Sequence, residues 1–326
     1  MSELISTVNI DDTKGLTVSL LIPTMNRPNS LKSTLESYFS GMVVPNQVVV
    51  VDQSQSLDIQ RENREVLLKF QERAKCVYLL QSTPSITMAR NSAFSESTAD
   101  IVLCSDDDIE VYPDTLANVK AKMTDSRIAM IAGLDDNLKR SHSRAGYLFG
   151  TKSFAKRNQG HVTRSMLGRY PPAVKGDIPT EWAMGYFFVV RASLVRKFGI
   201  SWDEKLTSYA YAEDLDFSYT LFKRVIPLGY QCILSDKVRV KHLGSLEYRV
   251  PSRKSTFMYV INRYYLAYKH HEGRLSIAAI DWADFWMVIF RLLKRQNAKE
   301  LLDAIIRAKI VRKKLKAGEL EPSFYD

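Results

Sequence analysis

A short apolar run that ends in adjacent carboxylates constrains this chain more than any other feature. Residues 101–104 read Ile-Val-Leu-Cys, and Asp106, Asp107 and Asp108 follow after one serine. Such an unbroken run is typical of a strand buried on both faces, and open parallel sheets bind ligands beyond the carboxyl ends of their strands. Three neighbouring carboxylates repel one another unless a cation or protons neutralise them, and their oxygens suit Mg²⁺ or Mn²⁺. The alternative is that they cap a helix beginning near Pro113.

The surrounding sequence alternates strand and helix patterns from residue 16 to about residue 133. The strand patterns cover residues 18–22 (stopped by Pro23), 47–52, 76–80, 101–104 and 128–132. Helical patterns separate them, and the one after the second strand covers residues 59–75. This alternation implies right-handed crossovers and a mainly parallel sheet. We therefore predict an α/β fold with helices flanking the sheet. The chain lacks both the Gly-x-Gly-x-x-Gly turn and the Gly-Lys-Ser/Thr of phosphate-binding loops, which disfavours those two nucleotide-binding families.

The second half of the chain is less regular. Residues 134–180 are polar, basic and rich in glycine, and we predict a hairpin in one part and a mobile loop in the rest. Strand patterns return at 181–191, 231–234 and 238–242, with one helix at 192–198 and another that starts at Glu213 and runs to about residue 224. Beyond residue 245 the pattern is helical. We therefore predict a polar arm (1–15), one main domain (16–245) and a helical C-terminal region (246–326).

The formal charge of +10 is concentrated near the C terminus. Residues 291–316 hold ten basic and two acidic residues, and the apolar stretch before them (282–293) is too short and interrupted to cross a bilayer. Such a segment can lie on an anionic membrane or pack on the main domain with a solvated basic face. No nucleic-acid-binding motif accompanies the charge, so we predict no nucleic-acid partner.

Two further observations concern the cellular compartment. The first 14 residues do not resemble a secretory signal, so we expect a cytoplasmic protein, with a peripheral position on the inner face of the membrane if the tail binds lipid. The three cysteines are far apart, and two lie in strand patterns. We therefore expect reduced core residues rather than a disulfide or zinc framework.

The chain carries an ordered set of short motifs between about residues 16 and 270. They are Ile22 to Arg27, Val50 to Asp52, Ala89-Arg90-Asn91, Asp106 to Asp108, Gly185 to Arg191, Glu213-Asp214 with Asp216, His242 and Asn262-Arg263. Taken in order, these motifs resemble the family 2 glycosyltransferases with the GT-A fold. Enzymes of this family move a sugar from a nucleotide diphosphate donor to an acceptor hydroxyl with inversion at the anomeric carbon.

The resemblance implies a nucleoside pocket formed by residues that follow the first two strands. These residues are Pro23, Thr24, Arg27 and Asp52. Asp52 would accept hydrogen bonds from the base or the ribose, because a carboxylate offers only acceptors to their N–H and O–H groups. Many relatives carry a second acid after this position, whereas this chain has Gln53-Ser54, which leaves the identity of the donor base open.

The resemblance also implies a metal and diphosphate site around the acidic run. Asp106 and Asp108 would hold Mn²⁺ or Mg²⁺ across the donor diphosphate, with Asp107 beside them in the donor site. His242 would be a third metal ligand or a diphosphate contact, although a lone histidine is often structural. Arg90 would pair with the phosphates, because its guanidinium matches phosphate oxygens bidentately; the alternative is a surface helix arginine.

Asp214 is the implied general base, which would deprotonate the acceptor hydroxyl as that oxygen attacks the anomeric carbon. Glu213 is its nearest rival. The dipole of a helix amino terminus keeps either carboxylate ionised, and a positioned base commonly accelerates such a step on the order of 10²–10⁴-fold. The alternative is that Glu213, Asp214 and Asp216 only stabilise the start of the helix.

Candidates for the acceptor pocket are Trp182, Met184 and Tyr186, because aromatic faces suit sugar rings. Aromatic residues in strands usually belong to the core, so that interpretation also stays open.

The resemblance points to a bacterial enzyme of surface polysaccharide synthesis, with rhamnosyltransferases among the similar proteins, acting on a glycan or lipid-linked acceptor. The chain lacks the Gln-x-x-Arg-Trp motif and the transmembrane helices of processive members, which favours addition of a single sugar. Two alternatives remain. A nucleotidyltransferase shares the sheet and the acidic metal site but usually has a glycine-rich basic loop after the first strand. The second alternative is a sugar-nucleotide or glycan-binding module without turnover. Such a module needs no general base, so the second acidic cluster argues against it.

Overall fold

The computed structural model describes residues 2–4, 15–138, 144–207, 210–244 and 252–326. The strands are β1 (Ser2–Leu4), β2 (Val18–Thr24), β3 (Gln47–Asp52), β4 (Lys75–Leu80), β5 (Ile101–Ser105), β6 (Ile109–Val111), β7 (Ile128–Asp135), β8 (His161–Val162), β9 (Gly168–Arg169), β10 (Asp177–Pro179), β11 (Phe187–Arg191) and β12 (Gln231–His242). The helices are α1 (Pro28–Phe39), α2 (Leu57–Leu68), α3 (Ile86–Glu96), α4 (Thr115–Met123), α5 (Ala145–Leu148), α6 (Ala192–Lys197), α7 (Glu213–Val225), α8 (Ser252–Lys269), α9 (Gly273–Leu293) and α10 (Lys299–Lys316).

The central sheet has the order β1-β4-β3-β2-β5-β11-β7-β12-β10, with β6 paired to β12. Strands β4, β3, β2 and β5 run parallel to one another, as do β7 and β12. Strand β11 lies antiparallel between β5 and β7. The predicted α/β fold with a mainly parallel sheet is therefore confirmed.

Helices cover both faces of the sheet because its central strands are apolar on both sides. On β2, Leu20 and Ile22 pack with residues of α1, α2 and α4. Leu21, which points the other way, belongs to a core shared with α3, α6, α7 and the C-terminal helices α8 to α10. The carboxyl ends of the parallel strands thus open between two helical layers.

Several predicted boundaries are wrong, each for a local reason. Strand β2 does not stop at Pro23 but continues to Thr24. Its pairing with β5 ends at Leu21, so the missing N–H of Pro23 interrupts no bond on that side. Helix α2 ends at Leu68 rather than near residue 75, because the chain must turn before the Lys75 N–H can donate to Asn46 and open β4.

The remaining predictions about the chain's organisation have mixed outcomes. Strands β8 and β9 form the hairpin predicted within residues 134–180, whereas the strand predicted for 181–191 begins only at Phe187. The apolar and basic C-terminal segments form two separate helices, α9 and α10. The three cysteines are buried free thiols, as predicted.

The C-terminal helices pack on the main domain: the Tyr265 hydroxyl donates to Asp203 at 2.6 Å. The division into three parts stays a prediction, and most of the arm lies outside the described residues. None of the helices in the described ranges has the length and apolar character that a membrane span requires.

Candidate active site

Asp106, Asp108 and His242 meet at the carboxyl end of β5. Strand β6 begins directly after the acidic run and pairs with β12, which sets His242 opposite Ile109. The His242 Nε2 atom lies 3.1 Å from Asp108 Oδ1. One ligand atom from each of the three residues lies within 4.8 Å of the other two. Two carboxylate oxygens and one imidazole nitrogen form a donor set that suits Mn²⁺ or Mg²⁺.

The electrostatics of these three residues favour a cation. Burial raises the pKa of Asp106, and the neighbouring Asp108 adds to this effect. A hydrogen bond to Asp108 raises the pKa of His242, and the His242 ring stacks on Tyr186 with a centroid distance of 5.6 Å. A divalent ion would offset the repulsion between the two carboxylates, so the residues present fit a metal site.

Asp107 points away from this group. It is buried and accepts hydrogen bonds from the Thr24 hydroxyl at 2.6 Å and the Arg27 guanidinium at 3.0 Å. Burial raises its pKa to about 7. Asp107 therefore connects the end of β5 to the end of β2 and the loop that follows it. Arg27 also lies 3.7 Å from Asp108, and so borders the metal group.

The helix-cap interpretation of the acidic run is wrong. Helix α4 begins at Thr115 with Asp114 at its N-cap position. Strand β6 separates the acids from that helix.

Arg90 on α3 is a buried bridge, so the surface-arginine alternative is also wrong. Its side chain is 1% exposed. The guanidinium donates to Glu213 at 2.6 Å, to Asp106 at 3.0 Å and to the Gly185 carbonyl at 2.9 Å. Burial opposes its charge, but Glu213 and Asp106 raise its pKa above the usual value. Arg90 thus joins the end of β5 to the start of α7.

Glu213 and Asp214 differ sharply in environment although they are adjacent. Glu213 is buried against Arg90, and burial raises its pKa to about 8. Asp214 is only half-buried, and its carboxylate accepts the Gly185 and Leu215 N–H groups, each at 2.7 Å. Burial raises the pKa of Asp214 while these N–H groups lower it. Asp214 is thus the more accessible of the two.

A glycine is needed where these elements meet. A Cβ atom added to Gly185 would lie 3.1 Å from both Arg90 Nη1 and Asp214 Cβ. This separation is shorter than ordinary carbon contacts, so the absence of a side chain lets the backbone approach both residues.

Residues 19–198 match the profile of Glycosyl transferase family 2. The chain belongs to this family. The predicted family and its enzymatic class, a glycosyltransferase, are therefore confirmed, and a nucleotidyltransferase is disfavoured.

Solved structures similar to this glycosyltransferase support the GT-A fold. Mannosyltransferase PcManGT from Pyrobaculum calidifontis, in complex with GDP-Man and Mn²⁺, is 15% identical, with a TM-score of 0.55 over 96% of this chain and 86% of the other. GalNAc-T7 with UDP, GalNAc and Mn²⁺ is 16% identical, with a TM-score of 0.59 over 93% of this chain and 59% of the other. Residues 1–349 of TarS from S. aureus are 16% identical, with a TM-score of 0.53 over 95% of this chain and 89% of the other. No curated protein sequence matches significantly.

The predicted nucleoside residues of the glycosyltransferase lie at the ends of β2 and β3. Asp52 is fully buried, and its carboxylate accepts bonds from Tyr78 at 2.6 Å and from Asn63 and the Ser54 N–H at 2.8 Å. These bonds hold the loop after β3. A direct contact between Asp52 and the donor base stays a prediction. Pro23 and Thr24 are buried, and Arg27 is partly exposed.

The predicted acceptor residues have different surroundings. Trp182 is buried against Tyr170, with a centroid distance of 5.0 Å, and packs against Gly168. Tyr186 is buried, and its hydroxyl donates to the Gly133 carbonyl at 3.1 Å. Met184 is half-buried and lines a cavity. Met184 is thus more exposed than Trp182 and Tyr186, and a role of the three residues in acceptor binding stays a prediction.

Sequence reasoning missed how the C-terminal region holds the short segment just before Glu213. Ala210 and Ala212, just before the acidic pair, have left-handed φ values of 46° and 69°, a conformation that costs on the order of 1–3 kcal/mol for a residue with a side chain. The Asn262 amide donates to the carbonyl of Tyr211 between them at 2.8 Å, and the Tyr325 hydroxyl donates to Asn262 at 2.7 Å. The motif Asn262-Arg263 was the available signal.

Proposed function

We propose that this glycosyltransferase moves a sugar from a nucleotide diphosphate donor to an acceptor hydroxyl with inversion and with the help of Mn²⁺ or Mg²⁺. The observation that carries the proposal is the metal group of Asp106, Asp108 and His242 together with the nearby Asp214. Arg90 donates to Asp106 and to the carbonyl of Gly185, whose N–H donates to Asp214. The Mn²⁺ in the PcManGT and GalNAc-T7 structures supports it by analogy.

Asp106, Asp108 and His242 would hold the cation beside the donor diphosphate. A cation bound there stabilises the negative charge that develops on the diphosphate as the sugar–phosphate bond breaks. Arg90 acts as a positioning residue, because its bonds to Asp106 and Glu213 fix the metal carboxylate relative to the start of α7. Arg27 adds positive charge at the same edge.

Asp214 is our proposed general base. Its half-buried carboxylate is held in place by the N–H groups of Gly185 and Leu215. In a single displacement, the acceptor oxygen bonds to the anomeric carbon, the bond to the diphosphate oxygen breaks, and the acceptor proton passes to Asp214. Attack from the face opposite the diphosphate inverts the anomeric configuration. Glu213 is less suited because it is buried and ion-paired with Arg90.

The stereochemical outcome tests this proposal. We expect that one donor among UDP-, dTDP- and GDP-linked sugars releases its nucleotide diphosphate only with Mn²⁺ or Mg²⁺ present. This release should stop when EDTA is added. Proton NMR of the product should show an anomeric configuration opposite to that of the donor. Retention of configuration, or turnover unaffected by EDTA, would contradict it.

We further propose that the acceptor is a glycan or lipid-linked sugar of a bacterial surface polysaccharide, met by the enzyme on the inner face of the membrane. The outward side of α9 and α10 supports this. It exposes Leu275, Trp282, Phe285, Leu292, Leu302, Ile306 and Ile310 next to the basic residues of the tail. Exposed apolar side chains among lysines and arginines suit the surface of an anionic bilayer. A second copy of the same face would be repelled by its like charge.

Charge reversal tests the membrane proposal. The variant Lys309→Glu/Lys313→Glu should partition at least about 30-fold less onto phosphatidylglycerol-containing vesicles at low salt. Each basic residue near such a surface contributes about 1 kcal/mol, and the introduced glutamates add repulsion. The matched control Lys69→Glu/Lys197→Glu, with the same charge change outside the tail, should partition like the wild type. Co-sedimentation measures both. Equal loss in the two variants would show that net charge alone governs adsorption.

A further inference from the structure

A cavity of about 480 Å³ lies between α9 and the segment at residues 145–170, with Leu138 also in its wall. Its volume is in the range of pockets that bind small organic ligands. Phe149 forms part of the wall, and its ring packs against those of Trp286 and Phe290 with centroid distances of 4.6 Å and 4.9 Å. The apolar lining residues are Leu138, Ala145, Phe149, Met184, Ala283, Trp286, Met287 and Phe290.

The charged residues that line this cavity are all basic. They are Lys152, Arg169 and Lys294, and no acidic side chain joins them among the described residues. Burial and the charge of Arg169 lower the pKa of Lys152, which indicates that the two cations share a confined space. An anionic group would offset their repulsion. The chemistry of the wall therefore matches a ligand with both an apolar part and an anionic part.

One end of the cavity reaches the proposed base. Met184 lines the cavity, and its N–H donates to the hydroxyl of another lining residue, Tyr170, at 3.0 Å. The next residue, Gly185, donates its own N–H to Asp214 at 2.7 Å. The cavity wall at Met184 and the backbone N–H that holds Asp214 therefore belong to consecutive residues.

The cavity also reaches the exposed C-terminal end of α9. Phe290 and Lys294 line it and are exposed, and the adjacent Leu292 and Leu293 are exposed as well. The cavity thus connects the catalytic residues with the apolar and basic surface of the tail.

We propose that this cavity binds the acceptor and that the acceptor is an amphiphile with an apolar chain and a phosphate or diphosphate group. This inference rests on the proposed function and specifies its acceptor. The apolar wall takes the part of the chain next to the phosphate, Lys152 and Arg169 hold the phosphate, and Lys294 attracts it at the exposed end of the cavity. The sugar beyond the phosphate extends past Met184 toward Asp214.

The binding test uses dodecyl phosphate, kept below its micellar concentration, as the probe in isothermal titration calorimetry of the full chain. The comparison probes are inorganic phosphate, which lacks the chain, and an uncharged detergent with the same chain. We expect dodecyl phosphate to bind at least about tenfold more tightly than either, because a hydrogen bond between charged groups and the apolar contact both contribute. Equal binding of either comparison probe would overturn the proposal.

Matched variants locate the binding. Phe149→Ala, which removes apolar wall, and Lys294→Glu, which reverses a charge, should each weaken dodecyl phosphate binding roughly tenfold. Phe154→Ala and Lys313→Glu are the controls, because they remove an exposed phenylalanine of the same segment and a lysine of the same tail that do not line the cavity. The controls should bind within about twofold of the wild type. Equal weakening in the controls would indicate adsorption to the tail and overturn the proposal.

Metal-dependent donor binding, measured on the same preparations, separates this proposal from the proposed function. If a nucleotide diphosphate sugar binds with Mn²⁺ and dodecyl phosphate does not, the cavity proposal fails and the glycosyltransferase site stands. If no donor binds, the proposed function fails and the cavity loses its role as an acceptor site.

Discussion

Replacing Asp214 by asparagine should lower kcat about 10²–10⁴-fold and leave donor affinity within about twofold. The substitution keeps the shape of the side chain but removes its capacity to take the acceptor proton. Donor affinity should persist because Asp214 does not belong to the metal group and its carboxylate is held by backbone N–H groups. Steady-state kinetics and donor titration measure the two quantities.

The matched control for Asp214→Asn is Asp58→Asn. Asp58 occupies the same position in the first turn of α2 that Asp214 occupies in α7, but it is exposed and lies near Arg61 of its own helix. If these carboxylates serve only to stabilise helix starts, both variants should shift Tm slightly and keep full turnover. Full turnover in Asp214→Asn would therefore assign the base elsewhere, and Glu213→Gln would be tested next.

Replacing Arg90 by methionine should lower the free energy of unfolding by about 3–5 kcal/mol, because it leaves the buried carboxyl group of Glu213 without its charged partner. Arg90 is 1% exposed, and Glu213 has no other ion-pair partner among the described residues. The loss should be larger at pH 8.5 than at pH 5.5. Burial already raises the pKa of Glu213 to about 8, from an ordinary 4.5. The folded wild type therefore loses stability between about pH 4.5 and pH 8. Arg90 opposes this rise in the pKa of Glu213, so without Arg90 the pKa rises further and the variant continues to lose stability at higher pH.

Two comparisons make the Arg90 result specific. The double variant Arg90→Met/Glu213→Gln should recover part of the loss, because it removes both partners of the buried pair. Arg127→Met, which breaks the exposed pair with Asp125, should leave unfolding by urea unchanged. If Arg90→Met is no more harmful than Arg127→Met, Arg90 does not hold the two halves of the site together.

The sequence was most informative where a local pattern determines the outcome. The apolar runs of β3 and β5 predicted buried parallel strands, and the acids after β5 predicted a metal group at their carboxyl end. His242 was placed by resemblance alone, since nothing near it in the sequence shows that β12 returns beside β6.

Long-range contacts explain what could not be predicted. Arg90 stands in a helix pattern that suits a surface residue, and its burial depends on Glu213, which lies 123 positions later. The three consecutive acids look equivalent, but Thr24 and Arg27 turn Asp107 away from the other two. The cavity arises only because α9 packs on residues that the sequence marked as an irregular loop.

The measurement that tests the account most directly is calorimetric binding of UDP-, dTDP- and GDP-linked sugars with Mn²⁺ or Mg²⁺. It compares the wild type with the variant Asp106→Asn/Asp108→Asn. We predict that one class of donor binds to the wild type only when the metal is present and that the variant loses this binding. Binding of no donor with either metal, or equal binding to the variant, would contradict the metal site.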